Sequence, residues 1–285
     1  MSLRDGDCEV WIARTDLART TRADATYAEP AHARTTHSGP SSAYGGTGSA
    51  YGGTGSAYAG LEHAGTSYPG LIGDLNEVER ERLAAYRRTA DRNRFVLGCA
   101  ITRRVVGAYL GVDPADVPLD RTCQDCGKPH GKVRVAGDPL RLSVSHSGDL
   151  VLVAFHRSNE IGVDVEQVNP DLDTSTLASV VLAPEEVEAL ASVPSAERAR
   201  AFTTYWTRKE AVLKATGDGM RVELSRLVIS SPSSAAKVLR WRRFPAEHIH
   251  LQDIRLPDAG HVAALADLGP KAVPVVTRDA ATILS

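Results

Sequence analysis

The sequence has no apolar run approaching the ~18 residues that a membrane-spanning helix needs. It begins Met1-Ser-Leu-Arg-Asp-Gly-Asp, without a basic segment leading into an apolar one, so a cytoplasmic protein is expected. Nor is there an excess of charge. The 33 Lys plus Arg face 35 Asp plus Glu, a formal net charge of −2, and provide no basic field of the kind nucleic-acid binders display. Neither nucleic acid nor a membrane is expected as a partner. Cysteine is scarce, with four in 285 residues (Cys8, Cys99, Cys123, Cys126), too few for a disulfide scaffold in a chain of this length. Charge itself is missing from Gly39 to Gly60.

That uncharged stretch holds eight of the 24 glycines, and its seven-residue unit, Ser-Ala-Tyr-Gly-Gly-Thr-Gly, starts at Ser42, repeats from Ser49 and returns in part at Ser56. A period of seven matches a coiled coil, but three glycines per unit carry too much backbone entropy for a helix. The region from about 18 to 70 therefore reads as a flexible insert in a surface loop, where closure entropy grows slowly with length. Tyr44, Tyr51 and Tyr58 could act as weak stickers, although a plain spacer is the simpler reading. Without the insert, about 230 residues remain to fold, enough for one or two domains.

After it, Asp74-Leu-Asn-Glu77 has the form of a capping box and predicts a charged helix to about Thr89. A second helix is expected from about Asp91 to Tyr109, with Leu97, Ala100, Ile101, Val105 and Ala108 at helical spacing and Gly111 as its stop. Short β-rich runs follow at Val133–Val135, Leu140–Val144, Val151–Phe155 and Ile161–Glu166. Pro184 opens a helix through Leu190, and a longer one, capped near Ser195, covers about Glu197 to Ala215 and stops at Gly217. Further strands are expected around Arg226–Ile229, Leu239–Phe244, Ile249–Arg255, His261–Ala266 and Ala272–Val276. With the apolar opening run Cys8–Arg14, strand, helices and strands occur twice, which predicts an α+β protein of two similar lobes, 1–158 and 159–285.

Three motifs carry chemistry. In Ile161-Gly-Val-Asp164-Val-Glu166, strand alternation places Asp164 and Glu166 on one face, ~7 Å apart, and Val163 and Val165 on the other. Neighbouring carboxylates resist burial unless a cation neutralises them, and hard oxygen ligands without Cys or His favour Mg²⁺ over zinc. A solvent-facing strand edge is the bland alternative. Gly162 marks close approach of a ligand or another backbone.

On the predicted helix, Phe202, Tyr205, Trp206, Val212 and Leu213 form one apolar stripe, with Lys209 in its middle and Glu210 and Lys214 on its shoulder. Either Lys209 snorkels while Glu210 and Lys214 pair, or the shoulder lines a cleft with Glu210 as a third metal ligand and both lysines on phosphates. Coupled to the carboxylate strand, the second reading is preferred. Ser143-Val-Ser145-His146-Ser147-Gly148-Asp149 gathers hydroxyls, an imidazole and loop amides that suit a phosphate or nucleotide, and no Ser-His-Asp triad follows from its spacing.

In order and spacing, Arg94-Phe95, Ser145-His146-Ser147-Gly148, Gly162-Val-Asp164-Val-Glu166 and Trp206-Thr-Arg-Lys209-Glu210-Ala211-Val-Leu-Lys214 resemble the Sfp-type 4′-phosphopantetheinyl transferases. The resemblance covers nearly everything except the insert. It implies a pseudo-twofold enzyme that binds coenzyme A in a cleft between its lobes, moves phosphopantetheine to a serine of an apo acyl or peptidyl carrier protein, and leaves 3′,5′-ADP. It implies Mg²⁺ on Asp164, Glu166 and Glu210, phosphate contacts from Lys214 and Lys209, and Ser145 and His146 at the 3′-phosphate end. It further implies Lys132 near the adenine, and Arg82 and Arg94 on the nucleotide. Glu186 matches a family glutamate proposed as base for the serine proton, with Glu210 and a magnesium-bound water as rivals.

A monomer is expected, since the fused lobes already form the cleft. A non-catalytic coenzyme A or carrier-binding module and a metal-dependent phosphoesterase are the alternatives. Cys123-Gln-Asp-Cys126-Gly-Lys-Pro-His130 looks like part of a zinc knuckle, but a structural zinc site needs four ligands and no second pair is present. A hairpin with two free thiols is expected there.

Overall fold

A computed structural model describes residues 6–15, 65–123, 126–128, 131–138 and 140–285; the Gly-rich repeat and His130 lie outside them. In chain order the elements are β1 (Cys8–Arg14), α1 (Glu77–Ala85), α2 (Thr89–Leu110), β2 (Leu119–Asp120), β3 (Arg134–Val135), β4 (Arg141–Ser147), β5 (Leu150–His156), β6 (Glu160–Gln167), α3 (Thr174–Val181), α4 (Pro184–Ala191), α5 (Ser195–Thr216), β7 (Val228–Ile229), β8 (Val238–Arg240), β9 (Ile249–Asp253), β10 (His261–Leu268), β11 (Val275–Asp279) and α6 (Ala281–Leu284). This is an α+β protein. Among the described residues no helix is long and apolar enough to cross a membrane.

Local chemistry sets the helix ends. The two long helices, α2 and α5, have 22 residues each and stop where a glycine turns left-handed, Gly111 at φ 72° and Gly217 at φ 75°. The cap of α1 is Asn76 rather than Asp74: Asn76 Oδ1 accepts the Glu79 N–H at 3.0 Å and Glu79 Oε2 accepts the Asn76 N–H at 3.3 Å. Asp74 instead pairs with Arg104 at 2.7 Å.

The strands form a six-stranded sheet in the order β11-β1-β5-β4-β3-β2, a three-stranded sheet β6-β10-β9 and the pair β7-β8. The last strand joins the first: β11 pairs in parallel with β1, Cys8 opposite Val275 and Ile12 opposite Asp279. After it, α6 reaches α2, where Arg104 donates to the Ile283 carbonyl at 2.8 Å. The division expected at residue 158 is therefore crossed by the C-terminal segment.

Period-two alternation distributes the core. On β5, Val151, Val153 and Phe155 pack with Leu97 and Ile101 of α2, while Leu150, Leu152 and Ala154 face Ile161, Val163 and Val165 of β6. Each fully buried aliphatic side chain contributes ~2 kcal/mol of transfer energy, so this second cluster holds the two sheets together. The opposite face of β6 is left for Gly162 and Asp164, and α5 lies over it.

Candidate active site

Gly162 decides how close α5 comes. A Cβ there would stand 2.1 Å from the Ala211 carbonyl oxygen and 2.3 Å from the Ala215 nitrogen, so helix and strand meet backbone to backbone. The close approach anticipated at Gly162 is that of another backbone. It carries Glu210 and Lys214, one helical turn apart, over the Asp164–Glu166 face of β6.

The other edge of β6 is held by side chains of β4. The hydroxyl oxygens of Ser143, Ser145 and Ser147 accept the backbone N–H groups of Val163, Val165 and Gln167 at 3.0, 3.3 and 3.1 Å. Both series advance two residues per step, so three serines stand in for the carbonyls of a backbone ladder. Two of the hydroxyl protons go to the carboxylates: Ser145 donates to Asp164 Oδ1 at 2.8 Å and Ser147 to Glu166 Oε2 at 2.7 Å.

Lys214 completes the cluster, its Nζ donating to Asp164 Oδ1 at 2.7 Å and to Ser145 Oγ at 2.9 Å. Burial alone would lower its pKa, but Asp164, with Glu210 and Glu166 behind it, more than offsets this and holds it above the ordinary lysine value. The carboxylates carry the opposite strain. Burial and then repulsion by Asp164 push Glu166 up to about 7, against hydrogen bonds from Ser147 and Trp206, and the same two causes raise Glu210. Asp164 is 2% exposed, and its Oδ2 has no hydrogen-bond partner.

These features suit a hard divalent cation: oxygen donors, one orphaned buried oxygen, and two carboxylates that burial and a neighbouring anion push toward the neutral form. Among the described residues no three His, Cys, Asp or Glu side chains already enclose a metal position. It is the Lys214 ammonium that meets Asp164.

The remaining expected residues are spread more widely. Lys132 donates to Glu160 Oε2 at 2.6 Å and to the Ala215 carbonyl in the last turn of α5 at 2.9 Å. Arg94 donates to the Gly148 carbonyl at 2.5 Å and pairs with Asp91. His146 is exposed and, by strand alternation, faces away from Ser145 and Ser147. Arg82 stands over the Phe95 ring, 5.5 Å from its centroid, and lines a cavity of about 300 Å³ with Phe95 and Arg121.

Two expectations are corrected. Lys209 is fully buried, and its three protons are taken by Glu186 Oε2 at 2.5 Å and by the carbonyls of Val181 and Leu224, each at 3.0 Å. It has no donor left for a phosphate. Glu186, 2% exposed, also accepts the Ala183 N–H at 2.7 Å and the Ile229 N–H at 2.8 Å. A carboxylate so enclosed caps α4 and neutralises Lys209; it does not reach a substrate hydroxyl. Ser145 departs in part, since one donated and two accepted bonds saturate its hydroxyl. Ser147 and Trp206, on the other hand, touch Glu166 and carried no assigned role; the signal for the former was the i, i+2, i+4 spacing of the serines.

Residues 160–266, which span β6 through α5 to β10, match the model of the 4′-phosphopantetheinyl transferase superfamily. The 4′-phosphopantetheinyl transferase HetI of Nostoc sp. is 36% identical over 210 residues, 73% of this chain and 85% of that protein. The chain belongs to the 4′-phosphopantetheinyl transferase family. A phosphopantetheinyl transferase of Thraustochytrium sp. is 33% identical over 55% of this chain and 57% of its own length. The 4′-phosphopantetheinyl transferase AcpT of Salmonella typhi is 39% identical over a shorter stretch, 29% of this chain and 43% of that one. As a transferase of this family, the chain has Asp164, Glu166, Glu210 and the half-buried Lys214 within the segment that the family model covers.

Proposed function

We propose that the chain moves the phosphopantetheine arm of coenzyme A to a serine hydroxyl of an apo carrier protein, with Mg²⁺ held by Asp164, Glu166 and Glu210. The observation that carries this reading is the Asp164 carboxylate, buried, tied on one oxygen to Ser145 and Lys214, and unpartnered on the other. In the reaction the serine oxygen forms a bond to the phosphorus that bears the pantetheine arm. The bond from that phosphorus to the oxygen of the leaving 3′,5′-ADP breaks, and the serine proton is released.

Lys214 supports charge neutralisation on the pyrophosphate, because its ammonium is charged and about a third exposed while its partner is buried. A bound Mg²⁺ would add Lewis-acid stabilisation of the leaving phosphate. With Glu186 enclosed, Glu210, one helical turn from Lys214 on α5, is the glutamate assigned to take the serine proton. Lys132 and Arg94 flank the cluster at the end of α5 and at the β4–β5 turn, where further phosphate oxygens would meet cations.

A two-lobed, pseudo-twofold organisation with a cleft for coenzyme A is supported by a repeated device. In α1, the capping glutamate Glu79 accepts from the fully buried Arg103 of α2 at 2.5 Å, just as Glu186 of α4 accepts from Lys209 of α5. Each long helix also carries a buried arginine that donates to loop carbonyls, Arg103 to those of Pro114 and Ala115 and Arg208 to those of Ser230, Ser231 and Ser234.

The test is to incubate the protein with coenzyme A and an apo carrier protein, with and without Mg²⁺, and to weigh the carrier. A mass gain of one phosphopantetheine that needs Mg²⁺ is expected. No gain across several carriers would sink the proposal, and release of phosphate or nucleotide without any carrier would favour a phosphoesterase.

A further inference from the structure

The chain is nearly neutral overall, yet from Leu224 to Ala246 it has five cations, Arg226, Lys237, Arg240, Arg242 and Arg243, and no acid. Four of them cluster on and just beyond β8. Val238 and Trp241 point inward, 2% and 6% exposed, whereas Leu239 is 55% exposed and its chain neighbours Lys237, Arg240, Arg242 and Arg243 are all exposed as well. Leu239 adds to these exposed cations one large apolar side chain that is open to a partner.

The patch sits beside the candidate active site. Arg243 pairs with Asp218 at 3.0 Å, directly after the glycine that ends α5. Lys214 lies in the last turn of α5, four residues before Asp218. Arg240 pairs with Glu185 at 2.6 Å. Both arginines are more than half exposed, and surface pairs of this kind are worth under about 1 kcal/mol, so they orient the guanidinium groups without tying them up.

We propose that β8 and the residues that follow it form the docking surface for the acceptor protein, through an acidic segment that presents an apolar side chain to Leu239. This rests on the transferase reading, which requires a protein to bring its serine to Lys214 and Glu210. Charge complementarity names the partner's chemistry. Nucleic acid fits less well, because Trp241, the aromatic residue directly after β8, is turned inward and cannot stack on bases.

The test compares full-length wild type, R240E/R242E, L239S and, as a control elsewhere on the surface, R87E. Binding of an apo acyl carrier protein is titrated without coenzyme A at two ionic strengths, and transfer kinetics are then measured with carrier and coenzyme A varied separately. R240E/R242E should raise the carrier Kd and KM about tenfold and flatten their salt dependence, with KM for coenzyme A and kcat within twofold of wild type. L239S should raise them severalfold, and R87E should leave them unchanged. Carrier binding by R240E/R242E no weaker than by R87E would overturn the proposal, as would displacement of the bound carrier by equimolar RNA. Wild type that binds the carrier in this manner but transfers nothing would keep the docking surface and overturn the transferase reading instead.

Discussion

Ser147 gives its hydroxyl proton to Glu166 Oε2 at 2.7 Å and with the same oxygen accepts the Gln167 N–H at 3.1 Å. One side chain on β4 thus fixes both the backbone register of β6 and the orientation of the carboxylate that β6 presents. Coupling of this kind makes the site precise, since turning the carboxylate away costs it the Ser147 hydrogen bond.

Because Ser143 and Ser145 still hold β6, replacing Ser147 with alanine should act more on the cation than on the fold. Partners of metal-binding side chains typically govern affinity by ten- to a hundredfold. S147A is expected to weaken Mg²⁺ binding, measured by calorimetric titration, about tenfold with a small change in Tm, and S147T should recover most of the loss. Equal Mg²⁺ affinity in S147A and wild type would remove the positioning role.

Gly162 leads to a prediction about stability. The atoms its Cβ would strike are the backbone of α5, which cannot rotate away as a side chain would. Overpacking of this sort costs about 3 kcal/mol or more, a fall in Tm of roughly 10 °C for a chain of this size. G162A that melts together with wild type would mean that α5 can lift off β6, and that the contact does not set the position of Glu210 and Lys214.

The pair formed by Glu186 and Lys209 is expected to be structural. Removing one member of a buried ion pair strands the other and destabilises by about 3–5 kcal/mol. K209M and E186A should each show that loss in chemical denaturation, while K209M/E186A regains part of it. E186Q, assayed at low temperature where it remains folded, should keep kcat within a few fold of wild type. A hundredfold drop in kcat with an unaltered circular dichroism spectrum would restore Glu186 as the base.

The long elements were legible because their signals are local. Apolar spacing and a terminal glycine mark α2 and α5 within two or three residues, and alternation along Ile161–Glu166 places both carboxylates on one face before any coordinates. Helix α3 was not legible: Thr174-Ser-Thr-Leu-Ala-Ser-Val-Val181 is rich in β-branched residues, and its helical state rests on the Asp173 cap and on Ala178 and Val181 packing into the core with α5. Lys209 was misread for a related reason. A lysine within an apolar stripe can line a cleft or enter a buried pair, and the deciding partner, Glu186, lies on a separate helix. The serine junction showed in the sequence only as the spacing of Ser143, Ser145 and Ser147, because β4 and β6 belong to different sheets and only the tertiary fold sets them side by side.

The carboxylate cluster itself makes the strongest demand on activity. D164A removes the anion that holds Lys214 in place, and E210A removes the carboxylate assigned both to the cation and to the serine proton. Each should abolish transfer while far-UV circular dichroism is retained, since neither side chain belongs to an apolar cluster. An unchanged transfer rate in either variant would exclude that residue from the site.

The Gly-rich repeat lies outside the described residues, and its expected role follows from composition alone. With eight glycines, three tyrosines as its only large apolar side chains and no charged residue between Gly39 and Gly60, the stretch has too little to bury for a core and no charge to hold a phosphate. The sheet, the serine junction and α5 are built from residues on either side of it. Deleting residues 39–60 should leave kcat and both KM values within about twofold, because shortening the connection between β1 and α1 changes closure entropy by less than ~1 kcal/mol. If the deletion raises KM for the carrier while KM for coenzyme A holds, the tyrosines at 44, 51 and 58 contact the acceptor and the repeat is a second docking element rather than a spacer.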